Sequence, residues 1–94
     1  MAENETPEPI DVYALVMTMV DNMSSIAWCK LGLQHDPLTN RIEKDLTQAK
    51  VAIDLTTHLA SVIESQLDED DKRRVNTLVR DLRLNYVEKM KENS

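Results

Sequence analysis

Apolar residues recur with helical spacing in three segments of the chain. The first segment predicts a helix over residues 11–31, with Asp11 as its N-cap and Gly32, the only glycine, as the residue that ends it. The second segment predicts a helix over about residues 44–66, and the third predicts a helix over about residues 69–91. The pattern therefore predicts an all-α fold.

The connections between the predicted helices differ in length. The first contains Asp36 before Pro37, and proline disfavours helical geometry in the residue before it, so we expect an irregular connector with a left-handed turn residue at Asn40. The second is very short, because Asp68 can cap the third helix directly. Since a tight connection favours antiparallel neighbours, we predict a three-helix up-down-up bundle in which helices two and three form an α-hairpin.

The first predicted helix is apolar on more of its surface than one bundle contact requires. At about 100° per residue, its apolar side chains fall on two stripes. One apolar side of this helix can pack against the other two helices, and the second side then needs another partner. We therefore predict that helix one completes the bundle by forming a symmetric dimer. The predicted self-association surface comprises Tyr13, Val16, Met17, Val20, Met23, Ala27 and Leu31.

Composition and length favour one helical domain. The 94 residues are 41% hydrophobic and 30% charged, and they suffice for one modest core. We assign residues 11–92 to that domain and residues 1–10, rich in glutamate and proline, to a disordered acidic N-terminal lead-in. The uncharged stretch from Val12 ends at Asp21, whereas a membrane-spanning helix needs roughly twenty apolar residues, so we expect no membrane span.

The charge distribution bears on the choice of partner. A formal net charge of -6 weighs against a general role in coating nucleic acid or anionic membrane. The third helix is locally basic, and Arg73, Arg80 and Arg83 near one face are candidate polar or anion contacts, although surface charges of this kind usually form a solvated face paired with carboxylates.

A nucleic-acid- or ribosome-associated adaptor that uses this face is one alternative function. Peripheral membrane or lipid binding through helix one is another, disfavoured by its acidic flank and its single Lys30.

Residue types that carry chemistry are few. Cys29 has no partner for an internal disulfide, and the acidic N-terminus differs from a basic secretory signal, so we expect a reducing, cytoplasmic location. Cys29, His35 and His58 lack the paired short spacing of zinc sites, and one glycine cannot build a phosphate-binding or oxyanion loop. We therefore predict a protein that is not an enzyme and that uses no cofactor or metal.

Four segments together resemble a known family. They are DPLTN in the connector, LTQAKVAIDLTTHLASV in helix two, and LDEDDKRR and LVRDLRLNYVE at the start and within helix three. Through them the chain resembles, from roughly Val12 to Glu88, a small bacterial family catalogued as domain of unknown function 1844. The resemblance implies a short helical bacterial cytosolic domain, and it supplies no catalytic residue, substrate or activity.

The sequence thus favours a non-enzymatic cytosolic helical protein that serves as a self-associating interaction or structural module. The apolar excess of helix one, together with the lack of a catalytic constellation, supports this interpretation. The expected contacts are a second copy of the chain in a homodimer and an unidentified protein partner.

Overall fold

The computed structural model describes residues 7–92, and within that range the chain forms three α-helices and no strand. The helices are α1 (Val12–Lys30), α2 (Leu46–Ile63) and α3 (Glu69–Glu92), with a short 3₁₀ helix at Glu64–Gln66 between the last two. The predicted all-α class is confirmed. Residues 1–6 of the predicted lead-in lie outside the described range, and residues 7–10 are exposed and belong to no helix.

Each helix begins after an aspartate whose side chain accepts a hydrogen bond from a backbone N–H of the first turn. Such a cap satisfies a donor that has no partner within the helix, and its removal typically costs about 1 kcal/mol. The caps at Asp11 and Asp68 agree with the sequence prediction, and the cap at Asp45 places the start of α2 slightly later than expected. The pairs are Asp11 with Tyr13 (3.0 Å), Asp45 with Gln48 (3.0 Å) and Asp68 with Asp71 (2.8 Å).

The connector between α1 and α2 contains two left-handed residues. Gly32 has φ of 83° and Asn40 has φ of 58°, as the sequence predicted. The backbone N–H of Asp45 donates to the carbonyl of Lys30 at 2.9 Å. This bond closes the connector and holds the start of α2 beside the end of α1.

The core lies where the three helices meet. Small residues on α2 allow the other helices to approach closely, and α1 and α2 share the most extensive contact, whereas α3 packs less extensively on α2 and least on α1. The most extensively packed helix pair is therefore the one joined by the long connector. The buried cluster comprises Ala27, Leu31, Ala49, Ala52, Ile53 and Leu82, with Trp28 and Tyr86 packed against it.

The chain is elongated for its length. Its radius of gyration is 16.1 Å and its longest extent is 59 Å, whereas a compact chain of this length has a radius of gyration of about 12 Å. The 24 residues of α3 alone span about 36 Å. A single ion pair, Arg74 with Asp21 at 3.5 Å, joins α3 to α1 among the described residues. An elongated chain of this size leaves apolar side chains uncovered.

Candidate interaction surfaces

An uncovered apolar surface is shared by α1 and α2. Besides Tyr13, seven large apolar side chains on these helices are each between 38% and 64% exposed. We call this surface the α1–α2 face. It comprises Val12, Leu15, Met19 and Ile26 from α1, and Val51, Leu55 and Val62 from α2.

The two helices contribute to one continuous surface. Ile26 lies beside Val51 and Leu55, because the three line a single apolar groove of about 260 Å³. From this groove the α1 stripe continues through Met19 at helical spacing, and the α2 stripe continues to Val62. The exposed apolar residues therefore form a band along both helices.

The residues that the sequence predicted for self-association lie mainly on the inner side of α1. The sequence showed two apolar stripes, and the chain's own core covers the one that contains Val20. The stripe that stays exposed is the α1 part of the α1–α2 face. Among the predicted residues, Val20, Ala27 and Leu31 are fully buried, Val16, Met17 and Met23 are half-buried, and Tyr13 is 50% exposed.

Of the three arginines of the predicted anion contact, Arg73 and Arg80 line one shallow groove on α3, whereas Arg83 lies in another. Arg73 pairs with Asp70 at 3.3 Å, and Arg80 pairs with Asp81 at 3.7 Å. Arg83 lies in a separate groove between α2 and α3 and forms no ion pair with any residue in the described range. In the predicted basic strip, two arginines therefore form ion pairs with carboxylates, and Arg83 lies apart from them.

The groove that contains Arg83 has an apolar base and a polar rim. Its volume is about 290 Å³. Lys50 Nζ donates to Asp54 Oδ2 at 2.8 Å, and this hydrogen bond, with the charge of Asp54, raises the pKa of Lys50, while the nearby charge of Arg83 acts to lower it. We call this the Arg83 groove. Its lining comprises Lys50, Ile53, Asp54, Arg83, Tyr86 and Val87.

The residues considered for metal or nucleophilic chemistry are separated. The buried Cys29 thiol donates to the backbone carbonyl of His35 at 3.4 Å, and His58 is exposed on α2. Between residues 7 and 92, no three histidine, cysteine or carboxylate side chains are grouped so that they could hold a metal ion. None of the helices in that range has the length and apolar character needed to cross a membrane.

The comparison with known proteins gives one match. No significant match was found among curated proteins or among solved structures. A family model described as "Domain of unknown function (DUF1844)" matches residues 13–88, which is most of the chain. This match confirms the resemblance seen in the sequence, and the chain belongs to the DUF1844 family.

Proposed function

We propose that the chain is a non-enzymatic interaction module of the bacterial cytoplasm that associates with a second copy of itself through the α1–α2 face. Each copy contributes an up-down-up arrangement of three helices, and the dimer covers the surface that one copy leaves exposed. The observation that supports the proposal most is the exposure of seven large apolar side chains on two adjoining helices.

The seven exposed side chains of the α1–α2 face limit the free energy that a dimer can gain. Full burial of an aliphatic side chain stabilises by roughly 1.5–3 kcal/mol, and the side chains of the α1–α2 face are about half exposed, so each would contribute on the order of 1 kcal/mol. A twofold interface buries each of the seven side chains twice. The resulting gain, on the order of 14 kcal/mol, exceeds most of the range of roughly 4–15 kcal/mol that association costs, so a stable dimer requires that nearly the whole α1–α2 face is buried.

The charge pattern of the α1–α2 face allows a second copy to bind there. Two chains of net charge -6 repel each other, so their contact must exclude carboxylates. Along the two stripes of the α1–α2 face the only charged position is Lys30, at the edge of its groove. Asp21 pairs with Arg74 and Asp54 pairs with Lys50, away from these stripes. A neutral surface of this kind can meet its own copy across a twofold axis.

Light scattering after size-exclusion chromatography tests the proposal. The wild-type chain at micromolar concentration is expected at twice its mass of 10.8 kDa. Leu15→Glu and Val51→Glu place a charge within the proposed contact, and each is expected at the monomer mass. Ser25→Glu is the matched control, because Ser25 is exposed on α1 outside the apolar stripe. A monomeric wild type, or Glu variants that stay dimeric, would contradict the proposal.

The two alternative functions would each need basic residues in an arrangement that the described residues do not provide. A nucleic-acid adaptor would need the arginines of α3 to act together, and two of the three already pair with carboxylates. Peripheral membrane binding would need basic residues beside the apolar stripe, and α1 contains Lys30 alone. Salt-dependent RNA binding that is lost on joint replacement of the three arginines would support the adaptor instead.

A further inference from the structure

The Arg83 groove is separate from the surface used by the proposed dimer. It lies between α2 and α3, whereas the dimer surface lies on α1 and α2. Its base includes Ile53, which is 3% exposed, and half-buried Tyr86, while Val87 at the rim is 48% exposed. The groove therefore offers an apolar base for one or two side chains, with charged groups beside it.

Among the charged groups of the groove, Arg83 is the cation that can pair with a ligand. Asp54, the only carboxylate in the lining, already accepts a hydrogen bond from Lys50 at 2.8 Å. Arg83 has no ion-pair partner in the described range, although the other arginines of α3 each have one. The lining thus carries a net charge of +1 in a chain whose net charge is -6.

We propose that the Arg83 groove binds an acidic peptide segment of a partner protein. A carboxylate of the segment pairs with Arg83, whose planar guanidinium can donate two parallel hydrogen bonds to it. An adjacent aliphatic side chain of the segment packs on Tyr86 and Val87, above the buried Ile53. A short peptide fits better than a nucleic acid, because a groove whose lining carries a net charge of +1 in an acidic chain cannot offset the repulsion of successive phosphates.

Two labelled peptides provide the probe. One alternates glutamate and leucine, and the other alternates glutamine and leucine at the same length. Fluorescence anisotropy with the full chain is expected to show about tenfold tighter binding of the glutamate peptide. In a parallel NMR titration, the largest shifts are expected at Ile53, Arg83 and Val87.

Two variants make the test specific. Arg83→Gln is expected to weaken binding of the glutamate peptide about tenfold, whereas Arg73→Gln is the matched control and is expected to leave it unchanged, because Arg73 lies outside the groove. Leu15→Glu is expected to bind the peptide as the wild type does, which separates this result from that of the dimer test.

Three results would overturn the proposal. The first is equal binding of the two peptides. The second is unchanged binding in Arg83→Gln. The third is binding of a short oligouridylate or of inorganic phosphate at the same residues with an affinity equal to that of the glutamate peptide, which would assign the groove to a general anion.

Discussion

Ile26 of α1 and Val51 of α2 line the same apolar groove, and both remain exposed, at 40% and 64%. The groove that they share joins the exposed stripe of α1 to that of α2. Neither helix alone would offer a surface wide enough for a specific partner, whereas the two together offer a band along their shared length. We propose the dimer because the two stripes together form one continuous apolar surface.

If folding and dimerisation are coupled, thermal stability depends on chain concentration. A dimer that binds only folded chains gains stability by mass action as concentration rises. We expect the Tm of the wild type to rise by several degrees over a hundredfold increase in concentration, and the Tm of Leu15→Glu to stay constant. Differential scanning calorimetry measures both, and a concentration-independent wild-type Tm would count against the dimer.

Leu82 is the residue of α3 that packs in the central buried cluster. It is 0% exposed and packs with buried residues of both other helices, so Leu82→Ala should destabilise the fold by about 2–5 kcal/mol. The matched control is Leu84→Ala, because Leu84 is 57% exposed, and its effect should be within about 0.5 kcal/mol. Urea unfolding followed by Trp28 fluorescence, at one fixed concentration, compares the two. Similar losses from both variants would show that α3 does not pack as described.

Gly32 occupies a backbone conformation that other residues rarely adopt. Its φ is 83°, and an added Cβ would lie 3.1 Å from the Lys44 side chain. Gly32→Ala is therefore expected to destabilise the fold by about 1–2 kcal/mol, and Gly32→Asn by less, since asparagine tolerates this region better. Urea unfolding of both variants gives the order, and an alanine variant as stable as the wild type would contradict the described turn.

Lys50 holds its proton more tightly in the folded chain than in the unfolded chain, because it donates a hydrogen bond to Asp54. Since its pKa is raised above the ordinary value of 10.5, this contact is fully present below that pH and is lost as pH rises through the folded-state pKa. Asp54→Asn should lower the pKa of Lys50, measured from its ¹³Cε chemical shift against pH. An unchanged pKa in this variant would show that Asp54 is not the cause.

The sequence was sufficient to predict the features that depend on local backbone geometry. The capping aspartates Asp11 and Asp68, and the left-handed turns at Gly32 and Asn40, follow from the side chain or its absence at one position. The two caps mark where α1 and α3 begin, and the two turns lie in the connector that follows α1. They do not depend on which helix packs against which.

The sequence could not show which of the two apolar stripes of α1 is buried in the chain's own core. Periodicity gives the angle of Val20 and of Met19 around the helix, and both stripes are apolar enough to be buried. The outcome depends on α2, whose small residues Ala49 and Ala52 allow close approach to α1 on the Ala27 side. Likewise, the short link before α3 favoured an α2–α3 hairpin, yet the most extensive packing joins α1 to α2.

Intermolecular NOEs test the central claim most directly. A sample that mixes chains labelled with ¹³C at leucine and valine methyl groups with unlabelled chains reports only contacts between two copies. The proposed dimer predicts intermolecular NOEs from the methyl groups of Leu15, Val51 and Leu55, and none from Leu84 or Val87. The absence of intermolecular NOEs from the first group, or their presence only in the second, would contradict a dimer formed through the α1–α2 face.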